Sequence, residues 1–585
     1  METATRTAFR WTLQPIEDEA LVAALGDQLN GLPEPLARSL ALRGVASFDE
    51  ARHFFRGGLE GLHDPFLMQD MDHAAERVAR AIEAGERVLV YGDYDVDGTT
   101  STALMTLFLR DHGVEAEFFI PNRFLHGYGL CEEGIDHATD IGAGLIVALD
   151  CGITAVDEAA YAKSKGLDLV ICDHHTPGPT LPDAVAVLDP KRDDCAYPFD
   201  GLSGCGVGFK LVQATLQVLG RPPEDAWRYL DLVAVSTASD IVPLVDENRI
   251  LMREGLRRLC THPRLGLVML AERANVDLTA CTCSRIVFNL GPRINAAGRL
   301  DDAALATELL IADDPVEAAQ LADQIEALNT QRRELDMQTR DEAMQLAETF
   351  MAADPMALVL HHEGWHPGVI GITASRVAEH FHRPAVLLTT GKDGLAKGSA
   401  RSVKGLSIYD ALATCADLLE RFGGHAFAAG LALPVDHVPE LRTRLHAAIA
   451  EVVADPDDLL PELEFDARLN LMDVDDRFWR VLAQFGPFGP DNPRPLFWGR
   501  DLRILGQPTT VGADGNHLKL RVVQREGGTP FSVIGFGLGD RLDTALMSVR
   551  RGRPIELAFC VEENHWNGRT TLQLRAKDLR LEESE

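Results

Sequence analysis

The sequence predicts an α/β protein: a parallel-sheet domain, a long linking helix, a second α/β domain and a C-terminal β-barrel. Three observations predict it. Between Arg87 and about Asp240, apolar runs of strand length alternate with helix-like stretches, the pattern of βαβ units whose parallel sheet is covered on both faces. From Pro315 to about Phe350 the chain is rich in Ala, Leu, Gln, Glu and Arg and has no further Gly or Pro. That fits one long helix, or two broken near Asn329. After Phe465, the runs HLKLRVV, FSVIGFG, IELAFCVEE and TLQLRAKDL are separated by Gly-rich or polar turns, as in a small barrel of short strands.

Taken in order, residues 1–83 read as short helices and loops, a lead-in expected to pack on the domain that follows. Its stretch LARSLALRGVASFDEARHFF has helical periodicity interrupted at Gly44. VLVYG opens the parallel sheet and a helix follows from Thr99 to Asp111. EFFIP, GLIVALD, DLVICD and AVAVLD continue the sheet, with AVDEAAYAKSKG as an intervening helix. Residues 241–314 read as mostly helical. ALVLHH and PAVLLTT begin the second α/β pattern, which runs to about Asp455. The expected boundaries are 1–83, 84–314, 315–354, 355–455 and 456–585. Neither an internal repeat nor a low-complexity tract interrupts them.

The chain has 585 residues, 46% hydrophobic and 25% charged, which excludes a disordered or collagen-like chain. No apolar run reaches the roughly 18–20 residues of a membrane span. The start METATRTAFRWTLQP lacks the apolar core of a signal peptide, so a cytoplasmic protein is expected. The ten cysteines are scattered and form no C-x-x-C pair, which fits reduced, buried thiols better than a zinc site. Net charge is −33. Residues 500–580 nevertheless carry 13 Lys and Arg against 9 Asp and Glu, a net +4 that leaves −37 on the rest. A basic C-terminal module on an acidic body is a charge asymmetry of the kind nucleic-acid binding uses.

Four constellations carry chemistry. The first is Asp93, Asp95 and Asp97 in GDYDVDG, where an apolar strand ends in alternate aspartates before a helix. Clustered carboxylates repel one another unless a cation sits among them, and oxygen ligands suit Mg²⁺ or Mn²⁺. An EF-hand loop is a poor rival. Its twelfth position falls on Leu104 where Glu is needed, and it should follow a helix. A structural helix cap at Asp97 is the other alternative. Asp150, after GLIVALD, is a second strand-end carboxylate, weak alone because aspartate often forms turns. Asp173-His174-His175 follows DLVIC; imidazole ligates Mn²⁺ or Zn²⁺, and a carboxylate can orient a ring through its second nitrogen. Asp240 ends the apolar segment LVAVSTAS. Asp93, Asp95, Asp97, Asp150, His174 and Asp240 are more ligands than one ion needs. Two ions would use them, leaving His175 as general acid or as a contact for transition-state charge.

On these residues the chain resembles the DHH phosphoesterases, named for the motif that here is Asp173-His174-His175. Within them it is similar to the bacterial exonucleases that degrade single-stranded DNA 5′→3′. The resemblance covers nearly the whole chain: GDYDVDG, LDCG, ICDHH, SDIVPL, GPRINAAGRLDDA, HEGWHPGVIGITASR, RSVKG, GGHAFAAG and PFGPDNPRP, in that order. Ala238-Ser239 before Asp240 departs from the Ile-Ala the family often has, but the acid is present. The resemblance implies a DHH domain, a DHH-associated domain and an oligonucleotide-binding barrel, with single-stranded DNA threading a groove between the first two. It implies two Mn²⁺ or Mg²⁺ ions, and leaves open whether Asp93 ligates directly.

For DNA, the 398–402 stretch GSARS and the 423–425 stretch GGH, read as preceding a helix start, suit a phosphate. Ser399, Arg401, Gly424 and His425 are the expected 5′-phosphate contacts; for Gly423 a plain chain turn is the alternative. Arg293, Asn295 and Arg299 are expected on the DNA backbone, or else pairing with Asp301 or Asp302. In the barrel, Phe531, Phe536 and Phe559 are each expected in the core, and Trp566, in the polar turn 562–569, is the expected exposed stacking residue. The family implies a single-strand-binding protein and a RecQ-type helicase as partners, no membrane and a monomer. Other DHH enzymes cleave pyrophosphate, oligoribonucleotides or cyclic dinucleotides, but generally lack the lead-in and the barrel. A catalytically dead scaffold would have lost metal ligands.

Overall fold

The structure, a computed structural model, describes residues 9–582 apart from 124, 354, 392–393, 454 and 567, and the side chains of 456, 457 and 566. The chain forms two compact units. One comprises Met1–Arg56, Gln338–Gly486 and Pro493–Glu585; the other comprises Gly57–Met337 with Pro487–Asn492.

The expected lead-in is divided between them: residues 57–83 belong to the parallel-sheet unit and the residues up to Arg56 to the other. Its strand β1 (Arg10–Leu13) pairs in parallel with residues Glu462–Phe465. In helix α1 (Glu34–Ala41) the buried Arg38 donates to the carbonyl oxygens of Gln14 and Asp466. Arg43 pairs with the Asp466 carboxylate at 2.8 Å, both side chains nearly buried. Local periodicity says nothing about a partner more than 400 residues away, so the sequence does not reveal this docking. Deleting residues 456–585 is therefore expected to free the N-terminal 56 residues for cleavage in limited proteolysis. Equal resistance of truncated and full-length protein there would contradict the docking.

The second unit is built on five parallel strands: β2 (Val88–Tyr91), β3 (Ala116–Phe119), β4 (Leu145–Leu149), β5 (Asp168–Cys172) and β6 (Ala186–Leu188). Their order is β3-β2-β4-β5-β6. Alternate residues serve two cores. Val88, Val90, Val147 and Val170 enter one, and Leu89, Tyr91, Ile146 and Ile171 enter the other. Burial on both faces explains why these strands read as continuous apolar runs. The register Val90–Val147–Val170–Ala186 brings all the strand ends out at one edge. Its helices include α2 (Val96–Asp111), α3 (Gly204–Val218), α4 (Leu230–Ser239), α5 (Asp246–Thr261) and α6 (Gly291–Leu300).

The expected linking helix is one element, α7 (Pro315–Met351), of 37 residues. Asn329 does not break it: its side chain is buried and accepts from Arg332 one turn on, instead of competing with the backbone. The unit boundary falls within this helix.

The second α/β region contains β7 (Leu358–His361), α8 (Ile370–Phe381), β8 (Ala385–Thr390), β9 (Leu395–Arg401), β10 (Arg421–His425) and β11 (Ala428–Pro434). The sheet order is β10-β11-β9-β8-β7, and only β7 and β8 run parallel. Residues 423–425 thus lie in a hairpin strand and not before a helix. Gly424 has φ 142°, and a Cβ there would meet the Ala428 carbonyl oxygen at 2.3 Å. The glycine serves close strand approach.

After β12 (Glu462–Phe465) come β13 (Ala467–Arg468), β14 (Phe497–Ile504), β15 (Thr509–Val511), β16 (His517–Gln524), β17 (Gly527–Gly535), α9 (Leu542–Arg551), β18 (Ile555–Trp566) and β19 (Arg569–Leu581). Strands β14, β18, β19, β17 and β16 pair in that order, and β16 pairs back to β14, closing a ring. Leu518, Leu520, Val522, Phe531 and Phe559 are buried, while Lys519 and Arg521 alternate outward. Among the described residues, no helix is long and apolar enough to cross a membrane.

Candidate metal centre

The carboxyl edge of the parallel sheet gathers the acids because β2, β4 and β5 each run into one. After β2, Asp95 caps α2, its Oδ1 accepting from the backbone N–H groups of Asp97 and Gly98 at 2.8 and 3.1 Å. A Cβ on Gly98 would fall 2.3 Å from the Asp93 carbonyl oxygen, so only glycine lets the helix start this close to the aspartate loop. After β4, Asp150 has φ 60°, a left-handed conformation that aspartate tolerates better than most residues. After β5 come Asp173, His174 and His175. Asp240 arrives differently, at the C-terminal end of helix α4.

The structure brings seven sequence-derived residues together. His174 Nε2 lies 3.1 Å from Asp150 Oδ1, 3.5 Å from Asp240 Oδ2 and 3.7 Å from Asp97 Oδ2. Three sets place their ligand atoms within 4.8 Å of one another: Asp93 with Asp95 and Asp150, Asp97 with His174 and Asp240, and Asp150 with His174 and His175. Asp93 Oδ1, Asp150 Oδ1, Asp240 Oδ2 and both ring nitrogens of His174 are buried without a hydrogen-bond partner. Buried polar atoms seldom stay unpaired. Five hard carboxylates with the His174 imidazole make a donor set that fits a manganese- or magnesium-type cation.

Electrostatics agree. Burial, and then the neighbouring charges of Asp97 and Asp95, push the Asp150 carboxyl well above the usual carboxylate range. Burial and Asp95 do the same to Asp93, and burial and Asp97 to Asp240; burial and Asp97 also raise the Asp95 carboxyl. Burial pushes His174 down. These are acids lacking a counter-charge, and a bound cation inverts that logic. Asp173 and His175 behave oppositely. Burial acts against both charges, but the 2.7 Å bond from His175 Nδ1 to Asp173 Oδ1 outweighs it, holding Asp173 below and His175 above their ordinary values. Asp173 also accepts from the N–H groups of His174 and Ile153. It is an orienting residue.

The expected phosphate contacts divide. Ser399 and Arg401 lie on β9, where the Arg401 guanidinium donates to Ser399 Oγ at 2.7 Å and to the Ala400 carbonyl at 2.8 Å. Among the described residues no carboxylate pairs with it, and burial pushes its pKa down. A Cβ on Gly371, in the first turn of α8, would sit 3.1 Å from both side chains. A cation at a helix N-terminus without an acid is a place for an anion. His425 is exposed in the β10 hairpin, and Gly424 shapes it. Arg293 is a correction: it is nearly buried in α6 and forks onto Glu326 of α7 at 2.5 and 3.2 Å. That ties two helices together and leaves little for DNA; neither Asp301 nor Asp302 is that partner. Asn295 and Arg299 are half-buried on the same helix.

Two barrel expectations change as well. Trp566 ends strand β18, in register with Arg569 of β19, so residues 562–566 are strand where a turn was expected; its expected role in stacking concerns a side chain outside the described residues. Phe531 and Phe559 are core, but Phe536 is 52% exposed. The Arg575 guanidinium stands 5.2 Å over its ring, and Lys519, Ile534 and Arg575 are register neighbours beside it.

Comparison with known proteins assigns the family. The DHH family, N-terminal domain, matches residues 87–237; the DHHA1 domain matches 353–451 and the RecJ OB domain 465–578. The single-stranded-DNA-specific exonuclease RecJ of Bacillus subtilis is 38% identical over 575 residues, 98% of this chain and 71% of that protein. The chain belongs to the RecJ family. A crystal structure of RecJ with Mn²⁺ from Thermus thermophilus aligns with a TM-score of 0.82 at 30% identity, covering 98% of this chain and 80% of that one. The same organism's RecJ with Mg²⁺ aligns at 0.75 and 28% identity, covering 98% and 79%.

Within this RecJ-family fold, sequence reasoning passed over two groups. Tyr128 donates its hydroxyl to the Asp150 carbonyl at 3.3 Å and lies 3.2 Å from His175 Nδ1. Its signal was available in Gly127-Tyr128-Gly129, an aromatic between two glycines at φ 88°. The cradle around Asp97, formed by the N–H groups of Gly204 and Cys205 and the Ser236 hydroxyl, had none, because a buried serine in an apolar helix looks like any other.

Proposed function

We propose that the protein is a metal-dependent exonuclease that degrades single-stranded DNA from the 5′ end to mononucleotides, in DNA repair and recombination. The carrying observation is the cluster of carboxylates and His174 at the parallel-sheet edge, in which buried oxygens of Asp93, Asp150 and Asp240 have no hydrogen-bond partner. Membership of a family named for single-stranded-DNA-specific exonucleases supports the substrate. RecJ structures with Mn²⁺ and Mg²⁺ support those cofactors.

Asp93, Asp95, Asp97, Asp150, His174 and Asp240 would hold two ions. Bound there, they supply a nucleophile at neutral pH and neutralise phosphoryl charge. The remaining groups position substrate. Asp173 holds the His175 ring by its Nδ1–H and favours its protonated form, so Nε2–H is a donor for phosphate charge or for the departing 3′ oxygen. Arg401 with Ser399 holds the terminal 5′ phosphate. Cleaving the P–O3′ bond leaves a new 5′ phosphate on the shortened strand, so each turnover regenerates the end that Arg401 selects. The exposed Phe536 with Lys519, Arg521 and Arg575 provides a base-stacking, phosphate-attracting face on the C-terminal module.

A strand labelled at either end tests this. Immediate release of 5′ label as mononucleotide in Mn²⁺ or Mg²⁺, retention of 3′ label on shortening strands, and no reaction in chelator are expected. Release of 3′ label first would refute the polarity. Arg401→Ala should erase most of the preference for 5′-phosphorylated over 5′-hydroxyl ends, about 10- to 100-fold in kcat/KM for a lost charge-assisted contact. An intact preference would move the phosphate site elsewhere. On family grounds we propose a single-strand-binding protein and a RecQ-type helicase as partners, a monomeric state, and a cytoplasmic location where the ten free thiols stay reduced.

A further inference from the structure

Among the clustered acids, Asp97 is treated differently by the chain. It is 1% exposed and accepts three protein hydrogen bonds. Gly204 N–H reaches Oδ2 at 2.6 Å, while Cys205 N–H at 2.8 Å and Ser236 Oγ at 2.7 Å reach Oδ1. Asp93, Asp150 and Asp240 each keep one buried oxygen without a hydrogen-bond partner. Behind Ser236 stands Ser203, the cap of α3, with the two Oγ atoms 2.6 Å apart and both residues fully buried.

The proton order in this chain is fixed by elimination. Ser203 Oγ accepts from Gly206 N–H at 3.1 Å. Asp97 Oδ1 only accepts, so Ser236 spends its single proton there and must accept from Ser203. The order is Gly206 N–H to Ser203, Ser203 to Ser236, Ser236 to Asp97, with every donor aimed at the carboxylate. Aligned donors of this kind polarise one another.

We propose that Ser236 is a positioning residue for the metal centre: through the Ser203–Ser236 hydroxyl relay it fixes the Asp97 carboxylate for sharing a cation with His174 and Asp240. The relay makes Asp97 the anchored ligand on which the first ion is captured. The proposal rests on the metal-centre reading above. Groups that hold a ligating side chain typically change metal affinity by roughly 10- to 100-fold when removed.

The test is Mn²⁺ binding to the full chain, read from the electron paramagnetic resonance signal of free Mn²⁺, beside the Mn²⁺ dependence of hydrolysis. Ser236→Ala is expected to raise the tighter Mn²⁺ Kd about tenfold or more, and to raise the half-saturating Mn²⁺ concentration in parallel. The kcat at saturating Mn²⁺ should fall far less than the affinity. Ser203→Ala should weaken binding in the same direction, and adding it to Ser236→Ala should cause no further loss, because the relay is already cut. An unchanged Kd in Ser236→Ala, or fully independent effects of the two substitutions, would overturn the relay. Absence of Mn²⁺ binding by the parent protein would instead overturn the metal-centre reading beneath it.

Discussion

Asp150→Asn is expected to slow hydrolysis of single-stranded DNA by about a thousandfold or more, the several kcal/mol that metal-centred charge stabilisation supplies, yet to leave the metal-free protein no less stable. Asparagine is the informative replacement because residue 150 has φ 60°, which asparagine tolerates and alanine does not. The stability half follows from the buried charge. The Asp150 carboxyl is raised by burial and by Asp97, Asp95 and Asp240, so the folded chain holds its proton more tightly than the unfolded one. A group raised in this way contributes stability at low pH, and that contribution is lost as pH rises through its folded value. In chelator, Asp150→Asn should therefore match the parent in acid and melt higher as pH rises past the ordinary carboxylate range. Thermal melts across pH in chelator, with an Mn²⁺ titration, decide it. Retained hydrolysis, or an unchanged Mn²⁺ affinity, would remove Asp150 from the centre.

Lys210→Met is expected to destabilise the parallel-sheet unit by about 3–5 kcal/mol, the usual loss when one partner of a buried pair is removed. Lys210 Nζ lies 2.6 Å from Glu247 Oε2, and neither side chain is exposed. Burial pushes the Lys210 amine down, and the Glu247 carboxylate opposes that shift. The amine also donates to the His63 carbonyl at 2.9 Å, and Tyr197 donates to the other Glu247 oxygen. Losing Lys210 strands an acid in helix α5 with no cation. Adding Glu247→Leu should recover a substantial part, since an apolar pair of similar volume needs no desolvation. Denaturant unfolding of the full chain measures both. Because Lys210 belongs to α3, whose first turn cradles Asp97, thermal inactivation of hydrolysis should follow the same order. A single substitution within 1 kcal/mol of the parent would show that the interior tolerates the stranded charge.

What was legible in the sequence is what short-range pattern encodes. The strands β2, β4 and β5 stood out as continuous apolar runs because both their faces are buried, and their terminal acids stood out because parallel register puts every strand end on one edge. Asp93, Asp95, Asp97, Asp150 and His174 were named from that logic alone. Asp240 was also found, although it arrives from a helix end that no strand pattern indicates. The C-terminal ring was legible for a related reason: its strands alternate inward and outward.

The rest lies in contacts between distant parts of the chain. Arg38 and Arg43 meet Asp466 across more than 400 positions, so the residues up to Arg56 share a unit with the C-terminal module. Arg293 looked like a DNA contact until its partner, Glu326, appeared on another helix. Phe536 reads as core like its neighbours, yet only the closed ring decides that it faces outward. By itself the sequence determined the fold class, the order of the domains and the type of chemistry, because hydrophobic period and residue type are local properties. Tertiary structure alone decided which arginine meets an acid and which meets none among the described residues, and which carboxylate is anchored by hydrogen bonds and which is not, because charge partnership depends on through-space distance and burial.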